Sequence, residues 1–293
     1  MRIARILQNG KETFVIINQD NKSVTRDEII DQLGLVLPFD AEDFLFYGYA
    51  KYIRDHAISE LSFCHGIDEF HYLPPIIKTF KIICLSFNYT DQGDWIRFGK
   101  NPPKDPVIYL KPRTSLIGPF DNIMCPLFVN ALDYEGELAL VIGKRCKKTN
   151  TYDALDYVAG YFILNDISAR DVQALDKQYS RAKGFDTFGP CGPWVTTVDE
   201  IPNPNNLHLT TKVNGEMRQN SSTENMVLTV NEIIFKLSKV MTLEPGDIIS
   251  TGTPSGTGLS MSSNLKYLKE NDIVEVEIEK LGKIRNKVLF AGE

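Results

Sequence analysis

The chain has 293 residues, 43% of them apolar and 24% charged, with a formal net charge of −6. This is an ordinary globular balance, long enough for one large domain and a small one. It argues against a nucleic-acid surface, for no basic stripe is interleaved with aromatics, and no apolar run nears the roughly 20 residues of a membrane helix. The five cysteines are scattered, odd in number and without a Cys-x-x-Cys pair, which reads as reduced thiols in a cytoplasmic protein. The first ten residues lack a signal-peptide core.

Residues 1–18 predict a hairpin, because two apolar runs flank Asn9-Gly10. Thr25-Arg26-Asp27-Glu28 has capping-box spacing ahead of a short helix that Gly34 closes. A second helix is expected from Asp40 to Ile58, and His71-Tyr72-Leu73-Pro74-Pro75 then breaks the pattern. Residues 1–75 are therefore expected to form a small α+β domain, and 76–293 a second, mainly β domain. Strands are expected at 81–86, 107–110, 193–197 and 207–213. An amphipathic helix should begin at Thr229-Val230-Asn231-Glu232, and a hairpin from Ile273–Ile278 and Ile284–Phe290 should close the chain.

Two apolar runs in the middle carry carboxylates. One begins Asp133-Tyr134-Glu135-Gly136-Glu137, and the other ends Leu164-Asn165-Asp166. On a strand Glu135 and Glu137 share a face, and burying two carboxylates side by side is costly unless a cation holds them. With Asp166 they would form an all-oxygen cage suited to Mg²⁺, Mn²⁺ or Ca²⁺ rather than zinc. Three of the four histidines (His56, His65, His71, His208) lie in the first quarter. Chemistry in the remainder thus falls to carboxylates, lysine, arginine and a metal.

Read with Asn165-Asp166-Ile167-Ser168-Ala169-Arg170, Lys183-Gly184-Phe185-Asp186-Thr187-Phe188-Gly189-Pro190, Val213-Asn214-Gly215-Glu216 and Gly246-Asp247-Ile248-Ile249-Ser250-Thr251-Gly252-Thr253-Pro254, this stretch resembles the fumarylacetoacetate hydrolase family. The resemblance implies an α+β, mainly β fold, with a sandwich-like β-roll catalytic domain in a homodimer or homotetramer. It implies Mg²⁺ held by Glu135, Glu137 and Asp166, with Lys183 beside metal and substrate as the catalytic group. Arg170, Gln173 and Thr253 would hold a small 2-oxo acid, with Ser86 and Phe87 at the strand end beside it. A lysine next to a dication is expected to have its pKa pushed down.

Members that activate water carry a His and, three residues later, a Glu after an Asn-Tyr pair. Aligned on Asn88-Tyr89, those positions here are Gln92 and Trp95, neither a general base. Expulsion of water needs no activated water. The sequence therefore reads as a metal-dependent hydro-lyase removing water from a 2-keto-3-deoxy sugar acid. Within the family it is most similar to the archaeal 2-keto-3-deoxy-D-arabinonate dehydratases of pentose breakdown, which form 2,5-dioxopentanoate. Asp91 and Asp94 are candidate helpers in proton transfer or hydroxyl binding. The alternatives are a hydrolase or decarboxylase of an acylpyruvate or other 2-oxo acid, and a binding protein without turnover.

Overall fold

The computed structural model describes residues 1–92, 101–260 and 265–291. It opens with the predicted hairpin, β1 (Arg2–Gln8) and β2 (Lys11–Ile17). Both turn residues have positive φ, 51° at Asn9 and 74° at Gly10, as a two-residue turn between right-twisted strands requires. β3 (Lys22–Thr25) adds beside β2 and leads into α1 (Arg26–Leu33) through a complete Thr25–Glu28 capping box. The single helix expected over 40–58 is broken instead. It runs as α2 (Ala41–Phe46), α3 (Tyr49–Tyr52), a π-helical turn (Ile53–Ala57) and a 3₁₀ turn (Ile58–Glu60). Gly48 has a φ of 89°, and an α-helix does not continue through a left-handed residue. The pieces still bury one face, with Phe44, Ala50 and Ile53 packed among Ile3, Phe14 and Ile16 of the hairpin.

β4 (His65–Gly66) pairs with β3, and β5 (His71–Tyr72) with β1. The strands that follow are β6 (Ile82–Ser86), β7 (Val107–Lys111), β8 (Leu116–Ile117), β9 (Ile123–Pro126), β10 (Leu132–Asp133), β11 (Gly136–Ile142), β12 (Val158–Asn165) and β13 (Ser168–Ala169). After β13 the chain forms two short helices, α4 (Arg170–Asp176) and α5 (Tyr179–Lys183). Then come β14 (Gly189–Thr197), β15 (His208–Val213), β16 (Glu216–Ser222), α6 (Val230–Val240), β17 (Ile248–Ser250), β18 (Ile273–Ile278) and β19 (Gly282–Ala291). β16 was not anticipated, although Asn214-Gly215, at φ of 51° and 80°, is the same turn signal as Asn9-Gly10. α6 has the expected Thr229–Glu232 capping box and buries Ile233, Ile234 and Leu237. Among the described residues no helix is long and apolar enough to cross a membrane.

The larger sheet has the order β4–β3–β2–β1–β14–β12–β11–β17–β6–β7, and a second sheet the order β16–β15–β18–β19–β9. The junction at β1 is continuous: Arg2 pairs with Thr196 and Ile3 with Val195 on β14. Backbone hydrogen bonding therefore carries the sheet from the first 75 residues into the rest of the chain. β11 explains its own unbroken apolar run. Leu138, Leu140 and Ile142 face Leu209, Val274 and Val276 of the second sheet, while Ala139 and Val141 pack with Cys84, Phe162 and Cys191 on the opposite side. A strand buried on both faces needs apolar residues at every position. The mainly β, α+β fold is the one the sequence implies.

Candidate active site

Register builds the carboxylate cluster. β11 and β12 run antiparallel with Gly136 opposite Asn165, so Glu135, just before β11, meets Asp166, just after β12. The Asp166 amide donates to the Glu135 carbonyl at 2.8 Å, and the Glu135 amide donates to Asn165 Oδ1 at 3.0 Å. Gly136 between the glutamates is required by space. A Cβ there would lie 2.5 Å from Thr211 Oγ1 and 2.9 Å from Val276 of the second sheet.

Glu135, Glu137 and Asp166 are all buried, and each presents an oxygen within 4.8 Å of the others. Glu137 Oε2 accepts from Ser250 Oγ at 2.5 Å and from the Gly252 amide at 3.0 Å. Its Oε1 is buried with no hydrogen-bond partner among the described residues. Burial first, then the charges of Asp166 and Glu135, push the Glu137 carboxyl well above the ordinary glutamate range. An orphaned oxygen in a cluster of hard oxygens, with neither Cys nor His in the set, fits a divalent cation such as Mg²⁺, Mn²⁺ or Ca²⁺.

Lys183 ends α5, buried, with Nζ 2.6 Å from both Glu135 Oε2 and Asp166 Oδ2. Burial would lower its pKa, but Asp166 and Glu135 outweigh burial and hold the ammonium above the ordinary lysine range. That direction is set by the chain's own carboxylates; the lowering expected for a lysine beside a dication belongs to the metal-bound site. Asp166 shows the complement. Burial would raise its pKa, yet Lys111 and Lys183 hold it below the ordinary range.

Arg170, the first residue of α4, joins three side chains. Its Nε donates to Asp133 Oδ2 at 2.8 Å, Nη2 to Glu135 Oε1, and Nη1 to Gln173 Oε1 at 3.1 Å. Asp133 also accepts from the amides of Gly258 (2.7 Å) and Leu259 (3.1 Å), tying the glycine-rich loop to the carboxylate strand. Thr253 Oγ1 donates to the Gly136 carbonyl and accepts from Gln219 Nε2 at 2.8 Å, and Gln219 Oε1 accepts from the Gly136 amide.

These residues border a cavity of about 200 Å³. Ser86, Phe87, Glu135, Arg170, Gln173, Lys183 and Thr253 all line it, with Glu137 and Asp166 buried at the cluster beneath. The sequence reading did not single out Tyr179, Thr257, Leu259 or Ser260, which also line it. Nothing in their local sequence marks them; α5 and the loop after Thr253 carry them there. Phe87 has a φ of 61°, a strained conformation for a bulky residue and one that clusters at ligand sites.

Asp91 faces elsewhere, accepting from Ser221 Oγ at 2.8 Å and the Ser255 amide at 3.3 Å. Gln92 ends a 3₁₀ turn, while Asp94 and Trp95 lie outside the described residues. No histidine lines the cavity. His65 lies between Glu28 and Glu69, His71 is 4.0 Å from Asp121, His208 meets Asn220, and the ring of His56 packs on Tyr52.

The family model for the fumarylacetoacetate hydrolase C-terminal domain matches residues 81–289. An uncharacterised protein of Methanocaldococcus jannaschii is 47% identical over 212 residues, covering 72% of this chain and 84% of the relative. The mitochondrial oxaloacetate tautomerase FAHD2B of Bos taurus is 43% identical over 224 residues, 75% of this chain and 70% of the relative. Among solved structures, a 5-carboxymethyl-2-hydroxymuconate delta-isomerase of Mycobacterium smegmatis superposes with a TM-score of 0.78 at 33% identity, covering both chains fully. The fumarylacetoacetate hydrolase of Exiguobacterium antarcticum does so with a TM-score of 0.82 at 31% identity, covering 99% of this chain and all of the other. From β6 to β19, where the carboxylates, the lysine and the glycine-rich loop reside, this chain belongs to the fumarylacetoacetate hydrolase family.

Proposed function

We propose that the protein is a divalent-metal-dependent enzyme that moves a proton at C3 of a small 2-oxo acid, interconverting its keto and enol forms. The observation that carries this reading is the pairing of a three-carboxylate cluster with one lysine nitrogen, Lys183 Nζ, at the floor of a cavity no histidine enters. Glu135, Glu137 and Asp166 would hold the cation, with Mg²⁺ the ion that the family resemblance favours. When bound, a divalent cation polarises the 2-oxo group and offsets the charge that builds on its oxygen.

The residues of the chain supply the rest. Lys183 Nζ donates a proton to C3 as the enol O–H proton leaves to solvent, and in the reverse direction takes the C3 proton as the oxygen is protonated from solvent, the same group serving both by microscopic reversibility. Arg170, anchored by Asp133, and Gln173 present N–H groups to a substrate carboxylate. Tyr179 and Phe87, whose rings meet edge to face at 6.5 Å, wall the acid away from solvent. A cavity of about 200 Å³ lies below the roughly 300–1,000 Å³ of drug-sized sites, which suits an acid of a few carbons. Proton transfer asks nothing of Gln92, which stands where water-activating members place a base.

A second reading keeps the same first step and ends it by expelling a hydroxyl from C4, the dehydration of a 2-keto-3-deoxy sugar acid such as 2-keto-3-deoxy-D-arabinonate. The serine and threonine hydroxyls on the cavity wall, those of Ser86, Thr253, Thr257 and Ser260, support it, because a polyhydroxy acid needs such partners. One experiment separates the two. Protein with Mg²⁺ or with EDTA is given enol-oxaloacetate, followed by its ultraviolet absorbance, and 2-keto-3-deoxy-D-arabinonate, followed by mass spectrometry. Metal-dependent decay of the enol supports tautomerisation; loss of one water from the sugar acid supports dehydration. If neither occurs while an acylpyruvate is cleaved in parallel, both readings fail in favour of a hydrolase.

A further inference from the structure

β7 reads in the sequence as an apolar strand followed by Lys-Pro. The structure gives it a second role. Strand alternation puts Tyr109 and Lys111 on one face, and that face meets Asp166. The Tyr109 hydroxyl donates to Asp166 Oδ2, while Lys111 Nζ lies 2.8 Å from Asp166 Oδ1 and also donates to the backbone carbonyl of Lys183. Both side chains are buried, that of Lys111 completely. Neither lines the cavity, so both act through other residues. One row of strand partners continues the brace: Tyr109 pairs with Cys84, Cys84 with Ser250, and Ser250 with Ala139. In that row Ser250 holds Glu137 Oε2. Two of the three carboxylates are thus gripped from one register line of one sheet.

We propose that Tyr109 and Lys111 are positioning residues for the metal centre. Tyr109 hydrogen-bonds one oxygen of Asp166, Lys111 forms an ion pair with the other, and Lys111 additionally holds the main chain of Lys183, so carboxylate and proton carrier keep their places when a divalent cation is taken up. This rests on the reading of Glu135, Glu137 and Asp166 as the cation's ligands. A ligating carboxylate without outside partners can rotate about its side-chain torsions, and partners that fix it are worth about 10- to 100-fold in metal affinity. The two residues also separate geometry from charge. Tyr109 is neutral, so loss of its hydroxyl changes orientation alone. Lys111 is a cation beside the site, and on Coulomb grounds alone its removal would tighten binding of a dication.

The test is Mg²⁺ titration by calorimetry, at one pH, of the full chain, Tyr109→Phe, Lys111→Met and Glu135→Gln, each checked for folding by its unfolding transition. Wild type should bind, Glu135→Gln should not, and Tyr109→Phe and Lys111→Met should each bind roughly 10- to 100-fold more weakly. Tyr109→Phe keeps the ring that packs 5.5 Å from Tyr179, so it decides the matter if Lys111→Met does not fold. Unchanged affinity in Tyr109→Phe, or tighter binding in Lys111→Met, overturns the positioning role and leaves the carboxylate site standing. Absence of Mg²⁺ binding to wild type overturns both together.

Discussion

Glu137→Gln separates the two properties assigned to this fully buried member of the cluster. The glutamine is nearly isosteric, and its carbonyl can still accept from Ser250 Oγ and the Gly252 amide. The anionic oxygen that lacks a partner, Oε1, is lost. If that oxygen is a metal ligand, wild type gains stability from Mg²⁺ by mass action, about 2.7 kcal/mol at a hundredfold excess over Kd. For a chain of this length that corresponds to a rise in Tm of roughly 5 °C; in Glu137→Gln the rise should shrink to about 1 °C or less.

With chelator present the sign reverses. Burial, then Asp166 and Glu135, raise the folded pKa of Glu137 above its ordinary value of 4.5. The native state then keeps a proton that the unfolded chain has released, so stability falls as pH rises from that value toward the folded pKa. Glu137→Gln lacks this component and should be the more pH-resistant protein in EDTA. Thermal unfolding with Mg²⁺ or EDTA across pH 5–8 reads both effects. A full Mg²⁺-induced shift in the variant would refute the ligand role; identical pH slopes in EDTA would refute the electrostatic reasoning.

Lys183→Met should lower turnover of the enol by about 10²- to 10⁴-fold while Mg²⁺ binds as well or better, since Nζ no longer shares Glu135 and Asp166; full turnover would sink the proton-carrier role. Gly256 has a φ of 96°, and a Cβ there would lie 2.0 Å from the Arg218 carbonyl oxygen. Gly256→Ala should therefore cost about 2 kcal/mol or more, and denaturant unfolding at wild-type stability would contradict that. Thr229→Ala removes the cap of α6 and should cost about 1 kcal/mol with Mg²⁺ affinity unaltered; a change in titration as well as stability would mean the helix is coupled to the site.

Local chemistry made much of this protein legible from the chain alone. Asn9-Gly10 forms its turn, and Thr25-Glu28 and Thr229-Glu232 form their capping boxes, because each depends on residues within four positions of one another. The carboxylates could be picked out because Glu135, Glu137 and Asp166 sit in otherwise apolar runs, where a charge needs a reason. The same logic misread 40–58, since the apolar helical period says nothing about the backbone at Gly48. It also passed over Asn214-Gly215, a turn as plainly signalled as the first.

What tertiary structure alone decided depends on partners far apart in sequence. The pairing of Gly136 with Asn165 sets how closely Glu135 approaches Asp166. The ladder from β7 through β6, β17 and β11 to β12 brings Tyr109 and Lys111 to Asp166, a carboxylate more than fifty residues later. Whether Lys183 is held charged likewise depends on two oxygens 2.6 Å away, from residues 48 and 17 positions distant. Spacing within a segment encodes turns, caps and faces. The field at a buried atom is set by what the folded sheets bring beside it.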